Sequence, residues 1–169
     1  RDSCYLKALA IYNQTWAGSD YEETNDDEFL KFCDDAIAGD PNLCDAYVLK
    51  ARRIYGNLYS SGYQHKRKEL ELQFHELAFQ AYSIDPYNPE AVSIYSRSFN
   101  VKKDYPQRLK YAKQALDLNP SHAGSNYDYG LALLNEKRFE EAEAHIEKAM
   151  ELNPIGRRSY EGLLPIVYM

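Results

Sequence analysis

Long apolar runs are absent from this sequence. No stretch approaches the roughly 20 consecutive apolar residues that a membrane-spanning helix requires, and no signal peptide opens the chain. Disorder is excluded as well, because 44% of the 169 residues are hydrophobic and only 27% are charged. The sequence therefore predicts a globular domain without a membrane span in this segment. The cytoplasm is the favoured compartment, with the periplasm left open.

The chain begins at Arg1 rather than at a methionine and stops at Met169, directly after an apolar run. We therefore expect a fragment or a processed product of a larger protein, with any targeting sequence or partner domain lying outside it. Because 169 residues is close to the size of one ordinary domain, we predict a single domain over residues 1–169.

Cysteines are few. The chain contains three, Cys4, Cys33 and Cys44, and no two of them form a CxxC pair. This pattern fits neither a disulfide framework nor a structural zinc site. We expect small buried apolar residues on helices, and a single bridge stays open only if the domain lies in an oxidising compartment.

A large excess of positive charge is also missing. The net charge is -6, and it divides unevenly: residues 1–46 carry -8, residues 47–113 carry +6 and residues 114–169 carry -4. In a nucleic-acid-binding domain, positive charge dominates one whole face. A basic middle between acidic ends therefore argues against direct nucleic-acid binding by this segment.

No group of residues in the sequence has the pattern of a catalytic or metal site. The four histidines are scattered, and HELAF at His75 lacks the second histidine of a zinc protease helix. There is no glycine-rich phosphate loop, and Asp26, Asp27 and Glu28 lack the spacing of a calcium loop. We expect these carboxylates, like the pair at 34–35, on a solvated helix face. The sequence predicts no catalytic residue, no metal site and no cofactor.

One short phrase is present four times. It reads AIAGDP at 36–41, AYSIDP at 81–86, ALDLNP at 115–120 and AMELNP at 149–154, so its prolines are 45, 34 and 34 residues apart. An alanine on an apolar helical face lets two helices approach closely, and Asp or Asn followed by proline ends the helix. Each copy therefore predicts the end of a packed helix.

Other positions keep the same register relative to the proline. The tenth residue after it is small and the thirteenth is large and apolar, which suits two sides of one further helix. Helix starts are predicted at Asn88, which Pro89 follows, and at Asn42 and Asn25, each with an acidic residue three positions on. The sequence thus predicts pairs of amphipathic helices that bury their apolar faces against neighbouring pairs. The small residues are Ala51, Ser96 and Gly130, and the large ones are Ile54, Phe99 and Leu133.

The last repeat resembles the tetratricopeptide repeat, because Gly130, Ala142, Ala149 and Pro154 match its pattern in spacing and type. The resemblance extends over residues 3–154, although Arg108 stands where the pattern expects a small residue. It implies an all-α fold, a right-handed superhelical solenoid of antiparallel helix pairs, with about four repeats plus a C-terminal helix. We place the repeats approximately at residues 3–41, 42–86, 87–120 and 121–154, and the C-terminal segment at 155–169.

The first interval between prolines is eleven residues longer than the other two. The polar stretch SSGYQHKRKE, between Ile54 and Phe74, accounts for the difference. We expect either a longer turn or extra helical turns on both sides.

Members of this family are binding scaffolds in which the first helix of each pair lines a concave groove for a peptide or partner helix. The resemblance therefore implies a protein or peptide partner, whose identity stays open. Arg52 and Arg97 occupy equivalent groove positions, where two guanidinium groups would suit a carboxylate. The alternative is that each pairs with Asp45 or Glu90 on its own helix, or with the neighbouring repeat. The predicted groove residues are Asp45, Val48, Arg52, Tyr55, Glu90, Ser93, Arg97, Asn100, Gly124, Tyr127, Asp128 and Leu131.

Two functions are predicted. The first is a protein-interaction module that forms the regulatory part of a bacterial transcription or signalling protein. The reason is that the overall arrangement of the repeats also resembles the repeat region of bacterial winged-helix activators or of cyclases. The second is self-association into a homodimer through the apolar end YEGLLPIVYM at 160–169. Sixteen tyrosines offer large contact areas. Tyr55 and Tyr127 are predicted to face the groove, and Tyr95 and Tyr129 to pack between helices.

Overall fold

The computed structural model describes residues 2–17 and 26–154, and the regular structure in these ranges is entirely helical. The predicted all-α fold is therefore confirmed. No helix within the described ranges is both long and apolar enough to cross a membrane. The helices are α1 Asp2–Ala17, α2 Asp26–Gly39, α3 Cys44–Asn57, a 3-10 helix Ser61–Lys66, α4 Arg67–Ile84, α5 Pro89–Val101, α6 Tyr105–Leu118, α7 Ala123–Asn135 and α8 Phe139–Leu152.

The chain divides into two compact units between Ile84 and Asp85. In the first unit α1 packs against α2, and α3 packs against α4; in the second unit α5 packs against α6, and α7 packs against α8. The connections within the second unit's pairs are short, so the two helices of each pair are antiparallel. The predicted helix pairs are present, while a single domain over residues 1–169 stays a prediction.

The core of the first unit joins α1, α2 and α3 through Ala8, Phe29, Cys33 and Leu49, which are at most 4% exposed. Burial raises the pKa of the Cys33 thiol from 9.0 to about 12. This thiol stays protonated at neutral pH and packs as a small apolar group, as the sequence predicts. All three cysteines are free, so no bridge forms among them.

The core of the second unit depends on a close contact between α7 and α8. A Cβ atom at Gly130 would lie 2.8 Å from Ile146 Cγ1 and 3.1 Å from the carbonyl oxygen of Ala142. No side chain fits there without movement of α8, which explains the glycine in physical terms. The residues that pack around this contact include Ala112, Tyr129, Leu133 and Ala142.

The repeated alanines are all buried at helix contacts. Ala36 is 3% exposed, and Ala81, Ala115 and Ala149 are completely buried. The alanine of the repeated phrase therefore has one structural role in all four helix pairs.

The helix starts follow the sequence prediction at one site and depart from it at another. Asn88 caps α5, since its side chain accepts hydrogen bonds from the amides of Glu90 and Ala91. The prediction at Asn42 was wrong: α3 begins two residues later, Leu43 is its N-cap residue, and the amide of Asn42 instead donates to Asp40. An aspartate side chain two residues back competes for that amide and holds it in a turn.

One turn type ends both α5 and α7. Lys103 and Lys137 each have a φ of 58°, the left-handed region. The following residue then closes the turn, with the amide of Asp104 donating to the carbonyl of Phe99 at 2.9 Å and that of Arg138 to the carbonyl of Leu133 at 3.1 Å. The two pairs of the second unit therefore share their internal turn as well as their period.

The eleven extra residues of the first unit form the 3-10 helix Ser61–Lys66 and lengthen the following helix. The connection between α3 and α4 spans residues 58–66, against three residues in each pair of the second unit, so the predicted longer turn is present. α4 has 18 residues where α6 and α8 have 14, whereas α3 has 14 where α5 and α7 have 13, so the added helix lies almost entirely after the turn. The other predicted features at the chain's ends, Asn25 as a cap, the C-terminal helix and the apolar end at 160–169, lie outside the described residues.

Candidate partner-binding surface

A buried carboxylate links α5 to α7 in the second unit. Asp128 is 2% exposed and accepts hydrogen bonds from the hydroxyl of Ser93 and from Nε of Arg97, the latter at 2.9 and 3.1 Å from its two oxygens. Charged groups at this depth are stable only when they are paired and hydrogen-bonded. Arg97 therefore forms an ion pair with a residue of the neighbouring repeat, which is one of the alternatives that the sequence left open.

A second link between these helices joins Glu90 to His122. Nε2 of His122 lies 2.7 Å from a Glu90 oxygen, while Nδ1 accepts from the amide of Ser125 and caps α7. Nδ1 therefore carries no proton in this arrangement, and Nε2 donates to the carboxylate. A Cβ at Gly124 would lie 2.8 Å from His122 Cε1, so the ring occupies space that only glycine leaves open.

Asn100 forms a third polar contact between α5 and its neighbours. Its side-chain oxygen accepts from Nη1 of Arg108 at 2.7 Å and from Nδ2 of Asn135 at 3.4 Å. Arg108 is only 5% exposed, and its carbonyl also accepts from the hydroxyl of Ser96 at 2.8 Å. The arginine that departs from the repeat pattern is thus accommodated by hydrogen bonds to α5.

The remaining predicted residues of the second unit are partly accessible. Tyr127 and Leu131 lie one turn apart on α7 and are both half-buried. The side chain of Arg97 on α5 is 25% exposed while it pairs with Asp128. Ser93 and Asp128 are buried, at 4% and 2% exposed.

The predicted residues of the first unit lie along α3. Asp45 is exposed, Arg52 and Tyr55 are half-buried and Val48 is buried. Burial raises the pKa of the Tyr5 hydroxyl, and the negative charge of Asp45 raises it further, because α1 packs close to α3. The groove role of these residues stays a prediction.

The aromatic residues divide as follows. Tyr95 and Tyr129 are each 8% exposed and pack between helices, as predicted. Tyr95 contacts the ring of Tyr111, with centroids 4.8 Å apart. Tyr55 packs against Phe74 at 5.0 Å, so part of its ring covers the α3–α4 contact.

One buried polar centre was missed by sequence reasoning. Asp26 was expected on a solvated face, but it is 2% exposed and accepts hydrogen bonds from Asn57 at 2.9 Å and from the hydroxyl of Tyr63 at 2.7 Å. Nε of Arg53 lies 3.1 Å from its other oxygen. The sequence contained one indication of this centre. Leu49, Arg53 and Asn57 are four residues apart, so the two polar residues lie on the same buried face of α3 as the leucine. Such residues require a buried partner.

The other acidic residues agree with the sequence prediction. Asp27, Glu28 and Asp35 are exposed, and Asp34 is exposed while pairing with Lys50. Among the residues that the structure describes, no cluster of three histidine, cysteine or acidic side chains could hold a metal ion.

Residues 123–155, which contain α7 and α8, match the family profile of the tetratricopeptide repeat. This match shows a tetratricopeptide repeat over α7 and α8, and the helix pairs of both compact units are typical of the same fold. The resemblance predicted from the sequence is confirmed.

Several solved structures are similar over most of the chain. A thermophilic tetratricopeptide-repeat protein of Thermus thermophilus covers 80% of this chain and 71% of its own, at 18% identity and a TM-score of 0.66. A double mutant of MamA covers 99% and 84%, at 16% identity and a TM-score of 0.60. YrrB, described as a tetratricopeptide-repeat protein with an unusual peptide-binding site, covers 95% and 74%, at 17% identity and a TM-score of 0.56. At these identities the likeness shows the fold alone.

A curated relative is anaphase-promoting complex subunit 3 of Schizosaccharomyces pombe. It is 22% identical over 57% of this chain. The chain spans only 19% of the length of that relative.

Proposed function

We propose that this chain is a protein-interaction scaffold whose second unit binds a peptide against α5 and α7. The observation that carries the proposal is the Arg97–Asp128 pair, which fixes a partly exposed guanidinium against α7, the helix that also carries the half-buried Tyr127 and Leu131. A charged donor beside half-buried apolar side chains is the usual composition of a peptide-binding surface.

The surface is suited to binding because its side chains are already held in place. Asp128 removes much of the rotational freedom of Arg97, and a tyrosine such as Tyr127 has only two side-chain torsions to fix. The expected ligand is a peptide with a large apolar residue for Tyr127 and Leu131 and a hydrogen-bond acceptor for Arg97. The peptide-binding site described for YrrB, a protein of the same fold, supports this class of ligand.

We further infer that the scaffold is the regulatory part of a bacterial transcription or signalling protein and performs no catalytic step. The inference is supported by the similarity between the arrangement of the repeats in this chain and that in the repeat regions of winged-helix activators and cyclases. Determining the full-length reading frame tests this inference. An adjoining winged helix or cyclase domain would support it, and an unrelated neighbour would contradict it.

Peptide display tests the binding proposal directly. Random peptides are selected on the whole chain, and the affinity of the best peptide is measured for the double variant Tyr127→Ala, Leu131→Ala. Loss of two large apolar contacts should weaken binding by about tenfold or more.

The matched control is Tyr105→Ala, Leu118→Ala, which removes the same two residue types from α6, where each is 36% exposed. This control should leave the affinity unchanged, and circular dichroism should show both variants folded. Equal losses in the two variants, or a selection that enriches no peptide, would count against the proposed surface.

Self-association through residues 160–169 stays an alternative prediction. Sedimentation at high concentration tests it. A species of twice 19.6 kDa supports a homodimer, and a monomer at every concentration contradicts it.

A further inference from the structure

The insertion between α3 and α4 carries a cluster of basic residues on its surface. His65, Lys66, Arg67 and Lys68 follow one another, and together with Gln64 and Glu69 they line a cleft of about 490 Å³. All six side chains are exposed. We call this feature the basic cleft.

The 3-10 helix of the insertion adds nothing to the hydrophobic core. None of the residues Ser61–Lys66 is buried. The repeat pattern does not require this segment, because the second unit closes the equivalent turns with three residues, 102–104 and 136–138. Its side chains therefore need an explanation other than packing.

The insertion is nevertheless anchored to the first unit. The hydroxyl of Tyr63 donates to Asp26 at 2.7 Å, and Asp26 is itself buried. Nε2 of Gln64 donates to the carbonyl of Ser60 at 3.1 Å. These hydrogen bonds hold the backbone of the basic cleft in place. A ligand would therefore bind with a smaller loss of conformational entropy.

The charges of the cleft favour an anionic ligand. Three consecutive basic side chains outnumber the two carboxylates of the same segment, Glu69 and Glu71, and Glu71 pairs with Nε of Arg67 at 2.9 Å. Lys66 and Lys68 remain exposed to solvent, and a bound anion would lower the electrostatic repulsion among the basic side chains of the segment.

We propose that the basic cleft binds an acidic segment of a partner protein, with the carboxylates of two or more Asp or Glu side chains placed among Lys66, Arg67 and Lys68. A short acidic peptide needs only this local positive charge. A long polyanion would also meet the field of residues 1–46, which carry -8. The site is independent of the surface on α5 and α7, because every residue involved belongs to the first unit.

Fluorescence anisotropy with the whole chain tests this proposal. The probe is fluorescein-labelled hexaglutamate, with hexaglutamine as the uncharged reference. Hexaglutamate should bind and hexaglutamine should not. The triple variant Lys66→Gln, Arg67→Gln, Lys68→Gln should weaken hexaglutamate binding by about tenfold, the amount expected for three partly screened charge pairs. The matched control Lys102→Gln, Lys103→Gln, Lys110→Gln removes the same number of charges from the second unit and should change the affinity by less than about twofold.

Three outcomes would overturn the proposal. They are no binding of hexaglutamate, equal weakening in both triple variants, and tighter binding of a ten-residue oligothymidylate than of hexaglutamate. If the triple variant does not fold by circular dichroism, the single change Lys66→Gln at an exposed position takes its place and should weaken binding by about twofold to threefold. Loss of peptide selection at α5 and α7 would leave this result unaffected, so the two proposals fail separately.

Discussion

The two compact units reach the same helix-pair architecture by different polar contacts. In the second unit the first helices of the pairs are joined at three levels, through Glu90, Asp128 and Asn100. In the first unit the buried carboxylate of Asp26 contacts side chains of α3 and of the 3-10 helix, and the exposed Asp34 pairs with Lys50. Removing a buried carboxylate that several side chains share leaves all of them without that partner in a region of low dielectric constant.

The burial of the two central ion pairs also differs. Asp26 and Asp128 are equally buried, but the arginine beside Asp26 is 7% exposed and the one beside Asp128 is 25% exposed. Arg53 in addition packs its guanidinium 4.8 Å from the centroid of the Phe29 ring. Water can therefore replace Asp128 for Arg97 more readily than it can replace Asp26 for Arg53.

The largest effect is expected for Asp26→Ala. The change leaves the guanidinium of Arg53 buried without its carboxylate, which should lower the free energy of unfolding by about 3 to 5 kcal/mol. Urea denaturation followed by circular dichroism measures the change. Asp27→Ala, at the exposed neighbouring position, is the control and should stay within about 0.5 kcal/mol of the parent chain.

Asp128→Ala should destabilise less. It removes hydrogen bonds to a charged group, but Arg97 regains water, so we expect a loss of about 1.5 to 3 kcal/mol. The same urea titration compares the two variants. If Asp128→Ala costs more than Asp26→Ala, then the deeper burial of Arg53 does not set the order of the two effects.

The repeated alanines should behave alike in both units. Ala81→Leu and Ala149→Leu each force extra methylene groups into a closed helix contact, at a cost of about 1 to 3 kcal/mol. Thermal or urea unfolding checks the values. Ala38→Leu and Ala144→Leu, at exposed positions of α2 and α8, are the controls. Silent changes at all four positions would mean that the buried alanines do not set the helix spacing.

A small pH effect is expected from His145. Burial lowers the pKa of its imidazole below 6.5, while Glu141 acts in the opposite direction. The unfolded chain therefore takes up a proton at higher pH than the folded chain does. The stability linked to His145 is present above the unfolded pKa of 6.5 and is lost as the pH falls through that value toward the lower pKa of the folded state.

Urea titrations at pH 7.5 and pH 5.5 detect this loss. The variant His145→Gln should show a weaker decline in stability between these conditions than the parent chain does. His65→Gln, at an exposed position, serves as the control. A parent-like decline in His145→Gln would contradict the assignment.

The features that could be predicted from the sequence share a physical cause. The alanine before each Asp-Pro or Asn-Pro, the glycine at 130 and the cap at Asn88 depend on local backbone chemistry and on a contact that every repeat makes. Such constraints recur with the period and can be recognised without coordinates. The helix pairs were therefore predicted correctly.

The side-chain partners could not be predicted in the same way. Asp26 meets Tyr63 across 37 residues and Asn57 across 31, and neither separation follows the repeat period. The left-handed backbone at Lys103 and Lys137 was also missed, because lysine gives no signal for a conformation that glycine usually adopts. The side-chain contacts of Asp26, in contrast, are unique to one repeat and have no second copy in the sequence to reveal them.

Because the cysteines are unevenly placed, their reaction with a thiol reagent can report local unfolding of one unit. All three belong to the first unit, and the protonated, enclosed thiol of Cys33 should react with a maleimide only when the α1–α2–α3 core separates. The partly exposed Cys4 and Cys44 should be modified much earlier. Two kinetic phases, resolved by mass spectrometry, would therefore report the opening rate of one half of the molecule while the cysteine-free half contributes no signal.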